Sequence, residues 1–231
     1  MIEAMSDLPL KHIVRQPLDG AGAAPPPALI LLHGYGSNES DLFSLSPYLD
    51  ERFLIVSPRG PHTLSPGSYA WFNLDIGPNG LRIDQAEADA SRLLLIQFIQ
   101  DAVKAYGVDA RRVYLMGFSQ GASMSLNVML SAPELLAGVV AMSGFLLPNA
   151  GEHPLTGDRV KDFPVMVVHG LDDDLVPVAQ GRACRDALSD LRVALTYREY
   201  PMGHQITDES LDDVSQWLSG TIDRAPATGS R

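Results

Sequence analysis

The sequence is poor in cysteine, in positive charge and in long apolar runs, and each shortage removes a class of protein. Cys184 is the one cysteine among 231 residues, so no disulfide can form within the chain. That excludes the stapled frameworks of small secreted scaffolds and fits a reducing compartment. Lys and Arg number 17 against 28 Asp and Glu, for a formal net charge of −11. Nucleic-acid binders hold phosphates with clustered Lys and Arg, so uniform acidity argues against that partner and against tight docking on an anionic membrane. No apolar run approaches the length of a membrane span. The opening "MIEAMSDLPLKHIVRQ" has no apolar core of signal-peptide length. No internal repeat of fixed period is present. The expectation is a soluble, cytoplasmic chain without stable membrane insertion.

What is present is an ordinary globular mixture, 45% apolar and 19% charged, in a chain long enough for one large domain or two small ones. A short strand is expected over 12–18, followed by a turn-rich connection. "ALILLHG" (28–34) and "RFLIVSP" (52–58) are continuous apolar runs, as in strands buried on both faces. Between them, "GSNESDLFSLSPYL" opens with Ser and Asn caps and reads as a short helical region. Residues 59–81 are rich in Gly and Pro and read as an excursion loop, a candidate partial lid. Residues 82–107 predict a long helix closed by Gly107. Its apolar face is expected to carry Ile83, Ala86, Ala90, Leu93, Leu94 and Phe98.

The alternation continues with a strand "RVYLMG", a helix over 120–131, a strand "LAGVVAMSG" and a loop to about residue 162. A strand "PVMVVHG", a helix over 178–189, a strand "VALTYREY" and a helix over 206–218 complete it. Strands alternating with helices imply a doubly wound α/β fold: a mostly parallel sheet with helices on both faces and right-handed crossovers. We expect a single domain over 1–219 and a flexible tail over 220–231.

Such a sheet binds its ligands at the carboxyl ends of its strands. The residues that follow strands there are His33-Gly34-Tyr35-Gly36, Ser119-Gln120, Ser143, the group from His169 to Asp174, and Met202-Gly203-His204. Among them, Gly117-Phe118-Ser119-Gln120-Gly121 matches G-x-S-x-G at a strand-to-helix turn, the nucleophile-elbow pattern. The turn is so sharp that side chains two residues either side of the serine would collide with backbone, and glycine removes the collision.

A serine hydroxyl needs a base to take its proton and an acid to orient that base. His204, just after the last strand and just before the last helix, is the best base. His169 and His33 end buried strands and read as structural histidines bonded to backbone. His12, His62 and His153 are in loops or near the terminus. The acid is expected between Ser119 and His204, where "HGLDDDLVP" offers Asp172, Asp173 and Asp174. Three adjacent acids cannot all face one imidazole, and at least one is expected to form a turn or cap a helix before Pro177. Oxyanion donors are expected from the backbone N–H groups of Gln120 and of Tyr35 in "HGYGSN".

These motifs resemble the small single-domain carboxylesterases of the phospholipase/carboxylesterase family, which includes acyl-protein thioesterases and lysophospholipase-like enzymes of the α/β-hydrolase fold. The resemblance runs along nearly the whole chain through "LLHGYG", "SPRGP", "WFNLD", "GFSQGASM", "HGLDDDLVP" and "YPMGH". It implies a Ser119–Asp173–His204 triad, with Asp173 selected by the family motif HGxxDxxVP. It also implies that Trp71 and Phe72 line the acyl pocket. The activity it implies is hydrolysis of carboxylic esters of short to medium acyl chains through an acyl-enzyme. Lysophospholipids or acylated proteins are alternative substrates, and a catalytically silent binding module is a rival from another class. The implied partner is a small-molecule ester or thioester, with no cofactor and no metal; nothing in the sequence specifies monomer or homodimer.

Overall fold

The computed structural model describes residues 8–18, 24–77, 80–148 and 158–224. Seven strands form its central sheet: β1 (His12–Arg15), β2 (Ala28–Leu32), β3 (Leu54–Pro58), β4 (Val113–Phe118), β5 (Gly138–Met142), β6 (Pro164–Gly170) and β7 (Ala194–Tyr200). Their spatial order is β1-β3-β2-β4-β5-β6-β7. Only β1 runs antiparallel, on the edge beside β3. The other neighbouring pairs are parallel. Among the described residues, four α-helices cover the sheet: α1 (Gln85–Tyr106), α2 (Gln120–Ser131), α3 (Val178–Asp190) and α4 (Asp208–Arg224). The expected mostly parallel α/β architecture is the observed one.

The continuous apolar strands are explained by the two cores. Along β2, Ile30 and Leu32 join the layer that α1, α2 and α3 cover, while Leu29 and Leu31 join the layer under α4. The same alternation divides Leu115 from Tyr114 on β4 and Val167 from Met166 on β6. Burying both faces favours apolar residues along almost the whole strand, and each large aliphatic contributes roughly 1.5–3 kcal/mol. Helix α2 is buried from Gln120 to Leu130, so it belongs to the core.

Four local expectations are corrected. Residues 59–81 are not a plain loop. Strands His62–Ser65 and Ser68–Ala70 pair as a hairpin, and Leu74–Gly77 pairs with Gly80–Ile83. The buried face of α1 is rotated from the expected one. Ala88, Ser91, Arg92, Leu95, Phe98, Ile99 and Ala102 point inward, whereas Ala86 and Ala90 are exposed and Leu93 is 59% exposed. The polar Ser91 and Arg92 occupy core-facing positions, and the Ser91 hydroxyl donates to the Trp71 carbonyl, so the apolar run Leu93–Ile96 misreports the stripe. Helix α4 runs past residue 218 to Arg224, with Thr221 and Ile222 buried. The short helical region before β3 is a 3-10 helix, Leu42–Tyr48, whose N-terminal Asp41 makes no side-chain cap. There the Asn38 side chain instead accepts from the Ser40 N–H at 2.9 Å, an Asx turn.

Candidate active site

Ser119 sits at the turn from β4 into α2 with φ 55° and ψ −117°. A non-glycine residue there carries backbone strain of about 1–3 kcal/mol that the surroundings must hold. They do so through sterics and two hydrogen bonds. The Ser119 N–H donates to the Met142 carbonyl on β5 at 2.8 Å, and its own carbonyl accepts from the Ser123 N–H at 3.1 Å. A Cβ on Gly117 would lie 2.3 Å from the Gly121 carbonyl oxygen, and one on Gly121 would lie 1.9 Å from the Leu32 carbonyl oxygen. Both glycines are therefore required by the close crossing of β2, β4 and α2.

His204 follows β7, and its ring spans two partners. Nδ1 is 2.8 Å from Asp173 Oδ2, and Nε2 is 2.9 Å from Ser119 Oγ. The Phe118 ring lies 4.8 Å from the His204 ring, centroid to centroid, and supports it. The loops carrying Asp173 and His204 meet because β6 ends in glycine. A Cβ on Gly170 would come within 2.3 Å of the Met202 carbonyl oxygen. The Leu171 N–H donates to the Tyr200 carbonyl, and the Asp172 N–H to the Met202 carbonyl.

Asp173 is buried, whereas Asp172 and Asp174 are exposed. The expectation that one acid faces the histidine while another shapes the turn is corrected, because Asp173 does both. Its Oδ1 accepts from the N–H groups of Leu175 at 3.0 Å and Val176 at 2.8 Å, leaving Oδ2 for His204. Pro177 precedes α3 and no acidic side chain caps that helix.

Among the other histidines, His33 and His12 are held by backbone partners. His33 Nε2 accepts from the Gly60 N–H at 2.9 Å, so Nδ1 carries the hydrogen and donates to the Gly34 carbonyl at 2.8 Å. Burial holds this ring below the usual histidine pKa, in keeping with a neutral group. His12 opens β1 and bonds the Leu10 carbonyl and the Tyr106 hydroxyl, also with its pKa lowered by burial. His62 opens the first hairpin, 3.7 Å from Glu87. His153 lies outside the described residues. Ser143 follows β5 fully buried, with a left-handed φ of 51°.

The loop carrying Tyr35 lies against the elbow: a Cβ on Gly34 would touch Ser119 Cβ at 3.4 Å. Tyr35 itself is exposed. The first hairpin is tied to this loop, since the Gly36 N–H donates to the Tyr69 carbonyl and the Tyr69 N–H to the Ser37 carbonyl. Trp71 and Phe72 were expected on the acyl pocket, but neither has accessible surface. The Trp71 indole donates to the His33 carbonyl at 3.0 Å. The Gln120 side chain accepts from the Trp71 N–H and donates to the Phe72 carbonyl, both at 2.7 Å. These contacts brace the loop beside Ser119 from behind.

A cavity of about 220 Å³ opens beside His204, walled by Leu42, Leu45, Phe118 and Ile206, with Asp41 and Ser44 contributing polar groups. Sequence reasoning missed these walls. Phe118 fills a free position of the elbow pattern, and the 3-10 helix has no signature tying it to the site. Cys184 is buried in α3, with its thiol pushed up to about 11 by burial, which makes it inert as a nucleophile.

A parallel sheet with a strained serine at a strand-to-helix crossing defines an α/β-hydrolase. The architecture is shared with the crystal structure of esterase PE8, which is 28% identical, with a TM-score of 0.75 over 92% of this chain and 99% of that one. The family model described as Phospholipase/Carboxylesterase matches residues 20–222, and the chain belongs to that family. Acyl-protein thioesterase 1 of Neurospora crassa is 32% identical over 209 residues, covering 83% of this chain and 85% of that protein. A rice (Oryza sativa subsp. japonica) protein named a probable inactive carboxylesterase is 26% identical over 213 residues, 87% of each chain. Among the described residues, no helix is long and apolar enough to cross a membrane.

Proposed function

We propose that the protein is a serine carboxylesterase that cleaves carboxylic esters of short to medium acyl chains through an acyl-enzyme. The observation that carries this reading is the His204 ring held between Asp173 Oδ2 and Ser119 Oγ. In the reaction, His204 Nε2 takes the Ser119 proton as Oγ attacks the ester carbonyl. Asp173 holds the ring so that Nε2 faces the serine, and it stabilises the imidazolium that forms. The backbone N–H groups of Tyr35 and Gln120 hold the oxyanion; one such donor is worth ~3–4 kcal/mol in the transition state. His204 then returns the proton to the leaving oxygen. Water, activated by the same ring, attacks the acyl-enzyme and releases the acid. The cavity of about 220 Å³ beside His204, with apolar walls and polar groups at Asp41 and Ser44, supports a substrate of modest size.

A fluorophosphonate probe tests the reading. The wild-type chain is expected to be labelled at Ser119 and Ser119→Ala to remain unlabelled; an unlabelled wild type overturns it and favours a silent module like the rice relative. Thioester hydrolysis is the second reading, favoured by the Neurospora crassa relative. It needs the same machinery, because a thiolate leaves more readily than an alkoxide. A panel of p-nitrophenyl esters, acyl-thioesters and lysophosphatidylcholine, compared by kcat/KM, separates these substrate classes.

A further inference from the structure

The second histidine beside the acid is more than a buried filler. His169 ends β6 with no accessible surface. Its Nε2 lies 2.7 Å from the Val176 carbonyl oxygen and 3.6 Å from Asp173 Oδ2. Both oxygens can only accept, so Nε2 carries the hydrogen. The other ring nitrogen, Nδ1, is buried and has no hydrogen-bond partner among the described residues. Leaving such a group unsatisfied is destabilising, a penalty that an aliphatic side chain would avoid. Behind the ring, α3 presents Gly181, where an added Cβ would lie 2.5 Å from Nδ1. The imidazole is therefore clamped between a helix and the turn that carries the acid.

We propose that His169 is a positioning residue that fixes the rotation of Asp173 by holding the Val176 peptide. The relay is short. His169 Nε2–H holds the Val176 carbonyl, and the N–H of the same residue donates to Asp173 Oδ1 at 2.8 Å. With Oδ1 pinned, the carboxylate cannot rotate, and Oδ2 stays aimed at His204 Nδ1. The ring N–H also faces Oδ2 from beyond hydrogen-bond length, so its positive edge favours the same orientation. The inference rests on Asp173 being the acid of the proposed esterase.

His169→Gln places an amide nitrogen near the former Nε2 and keeps the donor; His169→Asn places it near Nδ1 and loses the contact with Val176. With one p-nitrophenyl ester, the Asn variant is expected to lose about 10–100-fold in kcat with KM within about twofold, the scale of a misplacement of roughly 1 Å. The Gln variant should recover to within about threefold of wild type, with thermal melts matching those of the Asn variant. Equal losses in both variants, or wild-type kcat in the Asn variant, overturn the proposal. If the Asn variant does not fold, Gly181→Ala decides. Alanine favours the helix yet forces the ring forward, and it should lower kcat selectively; unchanged kcat overturns the proposal. A wild type labelled by fluorophosphonate with an insensitive His169→Asn sinks only the positioning role. An unlabelled wild type sinks the esterase reading and this inference with it.

Discussion

The elbow and the acid turn hold their residues mainly by different means. At the elbow, Ser119 is held by sterics: carbonyl oxygens of Leu32 and Gly121 stand where side chains on Gly121 and Gly117 would be. At the acid turn, Asp173 is held by hydrogen bonds from Leu175, Val176 and the His204 ring. Steric exclusion fixes residue types at a set spacing and so writes a pattern into the sequence. A hydrogen-bonded turn fixes one carboxylate and leaves its neighbours free, so the sequence shows three acids in a row and does not by itself say which one matters.

The largest expected effect tests the elbow's purpose. Ser119→Ala should lower kcat by ~10⁴-fold or more, with the fold retained by circular dichroism; activity within tenfold of wild type would show that the nucleophile lies elsewhere. Next comes the acid turn. Asp173→Asn removes the charge facing His204 and should cost up to ~10⁴-fold in kcat on a p-nitrophenyl ester. An inactive Asp174→Asn would move the acid by one residue and break the contrast drawn above. Gly121→Ala should act on the fold rather than on chemistry alone. Its Cβ meets backbone that cannot swing away, and a loss of more than about 4 kcal/mol in urea denaturation is expected. Tolerance of alanine would mean that the elbow is as adaptable as the acid turn. Asp172→Asn and Asp174→Asn sit at exposed positions and should change stability by about 0.5 kcal/mol or less and leave kcat intact. The smallest effect is at Cys184. Its serine variant should keep most of the activity, and iodoacetamide should leave the native thiol unmodified at pH 8 until the chain is denatured.

The same contrast explains what was legible in advance. The sheet could be read because both of its faces are covered, which turns β2 to β6 into unbroken apolar runs. Ser119 and His204, whose side chains meet at 2.9 Å, could be paired from the sequence because a glycine-bracketed elbow and the loop after the last strand have few alternatives. Asp173 needed the family motif to choose it from three acids. Trp71 and Phe72 show the limit in the other direction: a motif placed them near the site, but only packing shows them bracing the loop beside Ser119 from within the core. The hairpin over 62–70 was hidden by short, half-exposed strands without a buried stripe. The end of α4 was hidden because Gly220 resembles a stop signal, while Thr221 and Ile222 beyond it are buried.

The bond between His204 and Ser119 joins residues 85 positions apart, and the bond between His204 and Asp173 spans 31 positions within that stretch. No contiguous piece of the chain holds the three groups together; they meet only when β4, β6 and β7 are in register. Parallel strands close such distant loops slowly. Ester hydrolysis is thus a readout of completed assembly: during refolding it should appear after helical circular dichroism has returned, and in step with burial of the last strand.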